Sequence, residues 1–217
     1  MDRPDLVIFD IDGTLQDTCS WWPRVLRAGL IRFREQCGLD LPSPSDDEAN
    51  AVIGCKNEGV WAPFVPGHED LWSDLRAVVL PMEVDAMTAG GDTLFAGARD
   101  LLRQLRGRGA NLALASNCHS TYLAGVCRGQ NLDELTDHQF CLDSPGVACK
   151  ADMLRLAIEA TGARKAVMVG DRNNDAEAAA VAGIPFVWRV NEHATMSGDP
   201  IRWDGGTAEL LEILQFA

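Results

Sequence analysis

The chain has 217 residues, 47% of them hydrophobic and 24% charged, with a formal net charge of −13 at pH 7. That length suits one well-buried domain with a smaller accessory lobe, and no apolar stretch approaches the about 20 residues that span a bilayer. The acidic balance argues against a nucleic-acid backbone as partner, and seven cysteines without a C-x-x-C pair argue against a disulfide framework or a thiolate zinc site.

Residues 1–5 (MDRPD) lack the basic region and apolar run of a signal peptide, so a cytoplasmic location is expected. Residues 6–9 (LVIF) form an unbroken apolar run, the pattern of a strand covered on both faces. Asp10 and Asp12 stand at its end, and Gly13 with Thr14 turns the chain away.

Residues 17–92 change the rhythm. Around Pro23, the residues Trp22, Val25, Leu26, Leu30, Phe33 and Cys37 fall at helical spacing, and Gly38 supplies a stop. Ser45 and Glu48 have the spacing of a capping box opening a second helix. Leu71, Trp72, Leu75, Val78 and Val79 predict a third helix, which Pro81 is expected to end. From Glu35 to Asp92 there are twelve acidic residues against Lys56 and Arg76, the pattern of a solvated outer face.

Strand and helix then alternate. Leu101, Leu102 and Leu105 predict a helix ending near Gly109; residues 111–115 (NLALA) predict a strand, with Ser116 and Asn117 at its end. Those two polar residues also read as caps of the next helix, which carries Tyr122, Leu123 and Val126. Residues 139–142 are a weaker strand, and Lys150 opens a helical pattern that runs through Met153, Leu154, Ala157 and Ile158 to Gly162. Strand 166–169 ends before Asp171, and Asp171 or Asn174 reads as a cap of the helix that carries Ala176–Ala182. A strand at 185–190 and a closing helix over 207–217 complete the chain.

The alternation predicts an α/β fold, a doubly wound parallel sheet with a Rossmann-like core made by residues 1–16 and 93–217, and an all-helical insertion over 17–92. In such sheets ligands collect beyond the carboxyl ends of the strands, where Asp10, Asp12, Ser116, Asn117 and Asp171 all fall. Carboxylates crowded there raise one another's pKa unless a cation intervenes, and an all-oxygen donor set favours Mg²⁺ over zinc. One carboxylate can attack phosphorus while a second handles the leaving-group proton, with Ser116 and Lys150 steadying the phosphoryl oxygens.

Asp10-Ile11-Asp12-Gly13-Thr14, Ser116-Asn117, Lys150 and Gly170-Asp171-Arg172-Asn173-Asn174-Asp175 resemble, in order, the four motifs of the haloacid dehalogenase superfamily. The resemblance implies Asp10 as nucleophile and metal ligand, and Asp12 as general acid and base whose backbone carbonyl also reaches Mg²⁺. It implies Ser116 and Asn117 as phosphate-binding residues, Lys150 as a catalytic and phosphate-binding residue, and Asp171 and Asp175 at the metal.

The 17–92 insertion is similar to the helical cap of the branch that includes phosphoglycolate phosphatases, with Lys56 as its candidate specificity residue. Ala151 stands where a proline is frequent in relatives. Asp12 separates the chain from the dehalogenases and phosphonoacetaldehyde hydrolases. The implied activity is a Mg²⁺-dependent phosphatase acting on a small phosphomonoester, phosphoglycolate-like or a sugar phosphate, through an aspartyl-phosphate. A phosphomutase like the β-phosphoglucomutases and a non-catalytic phosphate-ligand binding protein are the alternatives. The expected partner is a small phosphorylated metabolite, with neither nucleic acid nor membrane, and the chain acts as a monomer or homodimer.

Overall fold

The computed structural model describes residues 3–89, 91–193, 196 and 201–215. Among the described residues six strands form one parallel sheet: β1 (Leu6–Phe9), β2 (Asn111–Ala115), β3 (His138–Phe140), β4 (Ala166–Gly170), β5 (Phe186–Arg189) and β6 (Ile201–Trp203). Their spatial order is β3-β2-β1-β4-β5-β6, so the sheet grows one way from β1 to β3 and the other way from β4 onward. The crevice for a ligand in this topology opens at the carboxyl ends of β1 and β4, the strands that deliver Asp10 and Asp171.

Side-chain alternation along the strands divides the core between two faces. Val7 and Phe9 pack with Leu112, Leu114, Val167 and Val169 on one face, whereas Leu6 and Ile8 pack with Ala113, Ala115 and Met168 on the other. All four residues of β1 are fully buried, each contributing about 1.5–3 kcal/mol. β1 is therefore a firm base for the carboxylates at its end. β6 has no sequence signal because it is short, lies at the sheet edge and exposes two of its three residues.

Between β1 and β2 the chain forms α1 (Thr18–Cys37), α2 (Asp46–Ala51), α3 (Glu58–Trp61) and α4 (Trp72–Thr88), then α5 (Ala98–Gly107). Helix α1 begins before Pro23 and stops at Gly38, whose left-handed φ of 70° lets its N–H bond to the Arg34 carbonyl. The capping box of α2 forms: Ser45 Oγ accepts from the Glu48 N–H, and Glu48 accepts from the Ser45 N–H. Pro81 does not end its helix. Leu75, Val79, Glu83 and Met87 make one buried stripe through it, and that packing outweighs the about 3 kcal/mol that an interior proline costs. The acidic Glu83 interrupts the apolar pattern and hides this continuity from the sequence.

The remaining helices are α6 (Ser120–Gln130), α7 (Lys150–Thr161), α8 (Asn173–Ala182) and α9 (Thr207–Ile213). Residues 216 and 217, which the expected closing helix included, lie outside the described residues. Among the described residues no helix is long and apolar enough to cross a membrane. All seven cysteines are free thiols.

Candidate active site

β1 and β4 are paired in register, Phe9 opposite Val169, and the Asp10 N–H continues the ladder to the Val169 carbonyl at 2.9 Å. Asp10 and Asp171 are thereby held side by side. Lys150, the first residue of α7, reaches across with its Nζ 3.0 Å from Asp10 Oδ1 and 2.5 Å from Asp175 Oδ1. It is only 3% exposed, so it is no surface lysine. The other oxygen of Asp175 accepts from the Arg172 N–H, which fixes that side chain at the start of α8.

Asp171 receives Thr14 Oγ1 at 3.4 Å and Asn191 Nδ2 at 3.5 Å, with Arg172 Nε 3.7 Å away. Two glycines make room for these carboxylates. Gly13 has a φ of 81°, and a Cβ there would lie 2.3 Å from Asp171 Oδ2; a Cβ on Gly170 would lie 2.5 Å from Asp175.

Burial, and the neighbouring Asp175, Asp171 and Asp12, push Asp10 well above the ordinary aspartate range despite Lys150. Burial and Asp175 likewise push Asp171 up to about 7. Burial alone would lower Lys150, yet Asp10 and Asp175 overcome it and hold the ammonium above its ordinary value. Lys150 and Arg172 thus face three buried carboxylates, and oxygens of Asp10, Asp171 and Asp175 all lie within 4.8 Å of one another. An all-carboxylate set with unbalanced negative charge fits a hard divalent cation.

Asp12 turns its side chain away from that cluster. Its Oδ1 accepts from Thr18 Oγ1 at 2.6 Å, Tyr122 Oη at 2.6 Å and Gln16 Nε2 at 3.2 Å. Gln16 also donates to Tyr122 Oη at 2.8 Å and accepts from Thr93, so the group is tied to both the insertion and α6. Asp12 Oδ2 has no hydrogen-bond partner among the described residues, and Asp12 lines the cavity.

Ser116 and Asn117 are buried beside Asp10 and Asp12 on the same cavity. Neither caps α6, which begins at Ser120 with His119 in the cap position and Asp143 accepting from the Ser120 N–H. Neither Asp171 nor Asn174 is the cap of α8, whose capping residue is Arg172. The Asn117 side chain instead donates to the Gly54 carbonyl of the insertion.

The cavity, of about 90 Å³, lies between these residues and the insertion, where Trp22, Val52, Ile53, Val60, Trp61 and Leu80 line it. Lys56 is exposed and is absent from its lining; the insertion's lining cation is Arg76. Glu83 also lines it, 3% exposed, and burial pushes its carboxyl up to about 8. Sequence reasoning passed over Tyr122, Glu83 and Arg76. Tyr122 and Glu83 carry one cue, a polar group inside an apolar helical stripe. His119 borders the cavity too, its Nδ1 bonded to Asp143 and its Nε2 buried without a partner.

The family model of the haloacid dehalogenase-like hydrolases matches residues 4–183. This chain belongs to that family. As a haloacid dehalogenase-like hydrolase it shares its fold with a predicted phosphoglycolate phosphatase from Haemophilus somnus 129pt, at a TM-score of 0.80 and 18% identity over 98% of this chain and 99% of the other. CbbY from Rhodobacter sphaeroides, solved in complex with phosphate, superposes at a TM-score of 0.74 with 22% identity over 95% and 96% of the two chains. In sequence, this hydrolase is 27% identical to the tyrosine-protein kinase PtkA of Mycobacterium tuberculosis over 197 residues, 86% of its own length. It spans 62% of the length of that curated relative.

Proposed function

We propose that this chain is a Mg²⁺-dependent phosphatase that hydrolyses a small phosphomonoester through an aspartyl-phosphate. The observation that carries this reading is Lys150, buried and bonded at once to Asp10 and Asp175 in a cluster whose carboxylates outnumber its cations. In this reading residues 1–16 and 93–217 form the catalytic core and residues 17–92 the cap.

Asp10, Asp171 and Asp175 would hold the ion, with the Asp12 carbonyl beside them, and bound Mg²⁺ would offset the charge of the phosphoryl oxygens. Lys150 orients the Asp10 carboxylate for attack. A bond forms between the Asp10 carboxylate and phosphorus, the ester P–O bond breaks, and Asp12 gives its proton to the leaving oxygen, releasing an alcohol. Asp12 then takes a proton from water as that water attacks phosphorus, which frees phosphate and restores Asp10. Ser116 and the chain at Asn117 donate to the phosphoryl oxygens during both transfers. The cap excludes bulk water and selects the leaving group.

The test is phosphate release from a panel of small phosphomonoesters, with and without Mg²⁺, for wild type and Asp10→Asn. Turnover that needs both the ion and Asp10 is expected; wild-type rates in Asp10→Asn would overturn the reading. The name of the mycobacterial relatives favours a second reading, phosphoryl transfer to an acceptor other than water. A phosphorylated product formed without matching phosphate release in the same assay marks that outcome.

A further inference from the structure

The cavity at the site has two unlike halves. Its core side is polar, with Asp10, Asp12, Ser116 and Asn117; the insertion side is walled by Trp22, Val52, Ile53, Val60, Trp61 and Leu80. The indole N–H of Trp22 is already committed to Glu83 Oε1 at 2.5 Å, so that ring faces the cavity without a free donor. Trp61 and Phe64 pack edge-on against Trp22 with ring centroids 6.2 Å away, which locks the wall in place. The insertion's other polar lining groups include Asn57, which is exposed, Arg76, which is half-buried, and Glu83.

A leaving group rich in hydroxyls would surrender its water on entering this half and leave most of those hydroxyls unpaired against indole and aliphatic carbon. An apolar group loses nothing there and buries its surface. Asn57 and Arg76 are the less buried polar groups of the wall, and Glu83 is buried within it. Its Oε2 has no hydrogen-bond partner among the described residues, and at neutral pH burial keeps the carboxyl largely protonated. It can meet one polar atom, not a series of them.

Resting on the phosphatase reading above, we infer that the preferred substrate is the phosphomonoester of a short apolar alcohol, carrying at most one polar function for Glu83, rather than a sugar or a small hydroxy acid. The apolar group fills the insertion side while the phosphoryl group lies against Asp10 and Ser116.

The experiment compares kcat/KM of the wild-type protein, with Mg²⁺, on 2-methylpropyl phosphate, glycerol 1-phosphate and 2-phosphoglycolate, three esters of similar size. At least about a tenfold preference for 2-methylpropyl phosphate is expected, the scale on which apolar pockets discriminate. Leu80→Asn, a change at a half-buried wall position, is expected to erase most of that preference by lowering kcat/KM for the apolar ester more than for the two polar ones. Turnover that depends on Asp10 but favours glycerol 1-phosphate or 2-phosphoglycolate would overturn the inference and leave the phosphatase reading standing. Absence of turnover on all three and on the wider panel would sink both.

Discussion

Asn117 and Asn174 donate to one acceptor: the Nδ2 of each lies 3.1 Å from the carbonyl oxygen of Gly54. Asn117 follows β2, Asn174 belongs to α8, and Gly54 belongs to the insertion. Arg172 adds a third donor, to the Asn50 carbonyl at 3.3 Å. The loop that walls the cavity is thus fastened to the chain after β2 and to the segment that carries Asp171 and Asp175.

Removing one of these donors tests the fastening. Asn174→Ala deletes a hydrogen bond worth about 1 kcal/mol, so kcat/KM is expected to fall about fivefold, chiefly through KM. Steady-state kinetics on the best ester measures this. An unchanged KM would show that the loop is held by its apolar contacts instead.

Tyr122→Phe removes one of three hydrogen bonds to Asp12 Oδ1 and one of the acceptors of Gln16 Nε2. Tyr122 acts through Asp12, as a positioning residue. A drop in kcat of about tenfold with little change in KM is expected, because the loss falls on proton transfer rather than binding. Equal losses in kcat and in substrate affinity would point to a general loosening of α6.

Glu83 makes stability depend on pH. Its folded-state value of about 8 lies above the ordinary 4.5, so its contribution is complete at low pH and is lost as pH rises toward 8. Glu83→Gln is neutral throughout. Urea denaturation at pH 5, 7 and 8.5 should therefore show the variant gaining on wild type by up to about 4 kcal/mol across that window. A gap that stays constant with pH would mean that Glu83 ionises normally in the folded protein.

Helices α4 and α6 approach closely at Gly129, where a Cβ would lie 2.2 Å from the Met87 carbonyl oxygen. Gly129→Ala must push the helices apart. Overpacking of this kind costs about 1–3 kcal/mol, which lowers the midpoint of thermal unfolding by about 3–10 °C in a chain this long. Retention of the wild-type midpoint would refute the close approach.

Much of this was legible in one dimension. The run Leu6–Phe9 reads as a buried strand because a strand covered on both faces has no polar alternation, and Asp10 inherits its position from that strand's end. The spacing of Ser45 and Glu48 likewise names a local motif, complete within four residues. Pro81 misled because local propensity opposes a helix there, and only the packing of Glu83 and Met87 against other elements reverses it. Ser116 and Asn117 read either as caps or as site residues because both roles use the same side chains; the start of α6 at Ser120 rules out the cap.

By itself the sequence determined the order of the first five strands and the helices between them in the core, the parallel class of the sheet, and the carboxylates Asp10 and Asp171 at two strand ends, because those depend on short-range pattern and a general rule of α/β topology. Tertiary structure decided everything that depends on which distant surfaces meet. It turned Lys150 inward to Asp10 and Asp175, gave Asp12 to Tyr122 and Thr18 rather than to the acidic cluster, and placed Arg76 instead of Lys56 on the cavity. The physical reason is one of range: a residue's neighbours along the chain fix its backbone, whereas burial and its polar partners come from distant segments, 110 residues away for Asp12 and Tyr122 and 157 for Thr14 and Asp171.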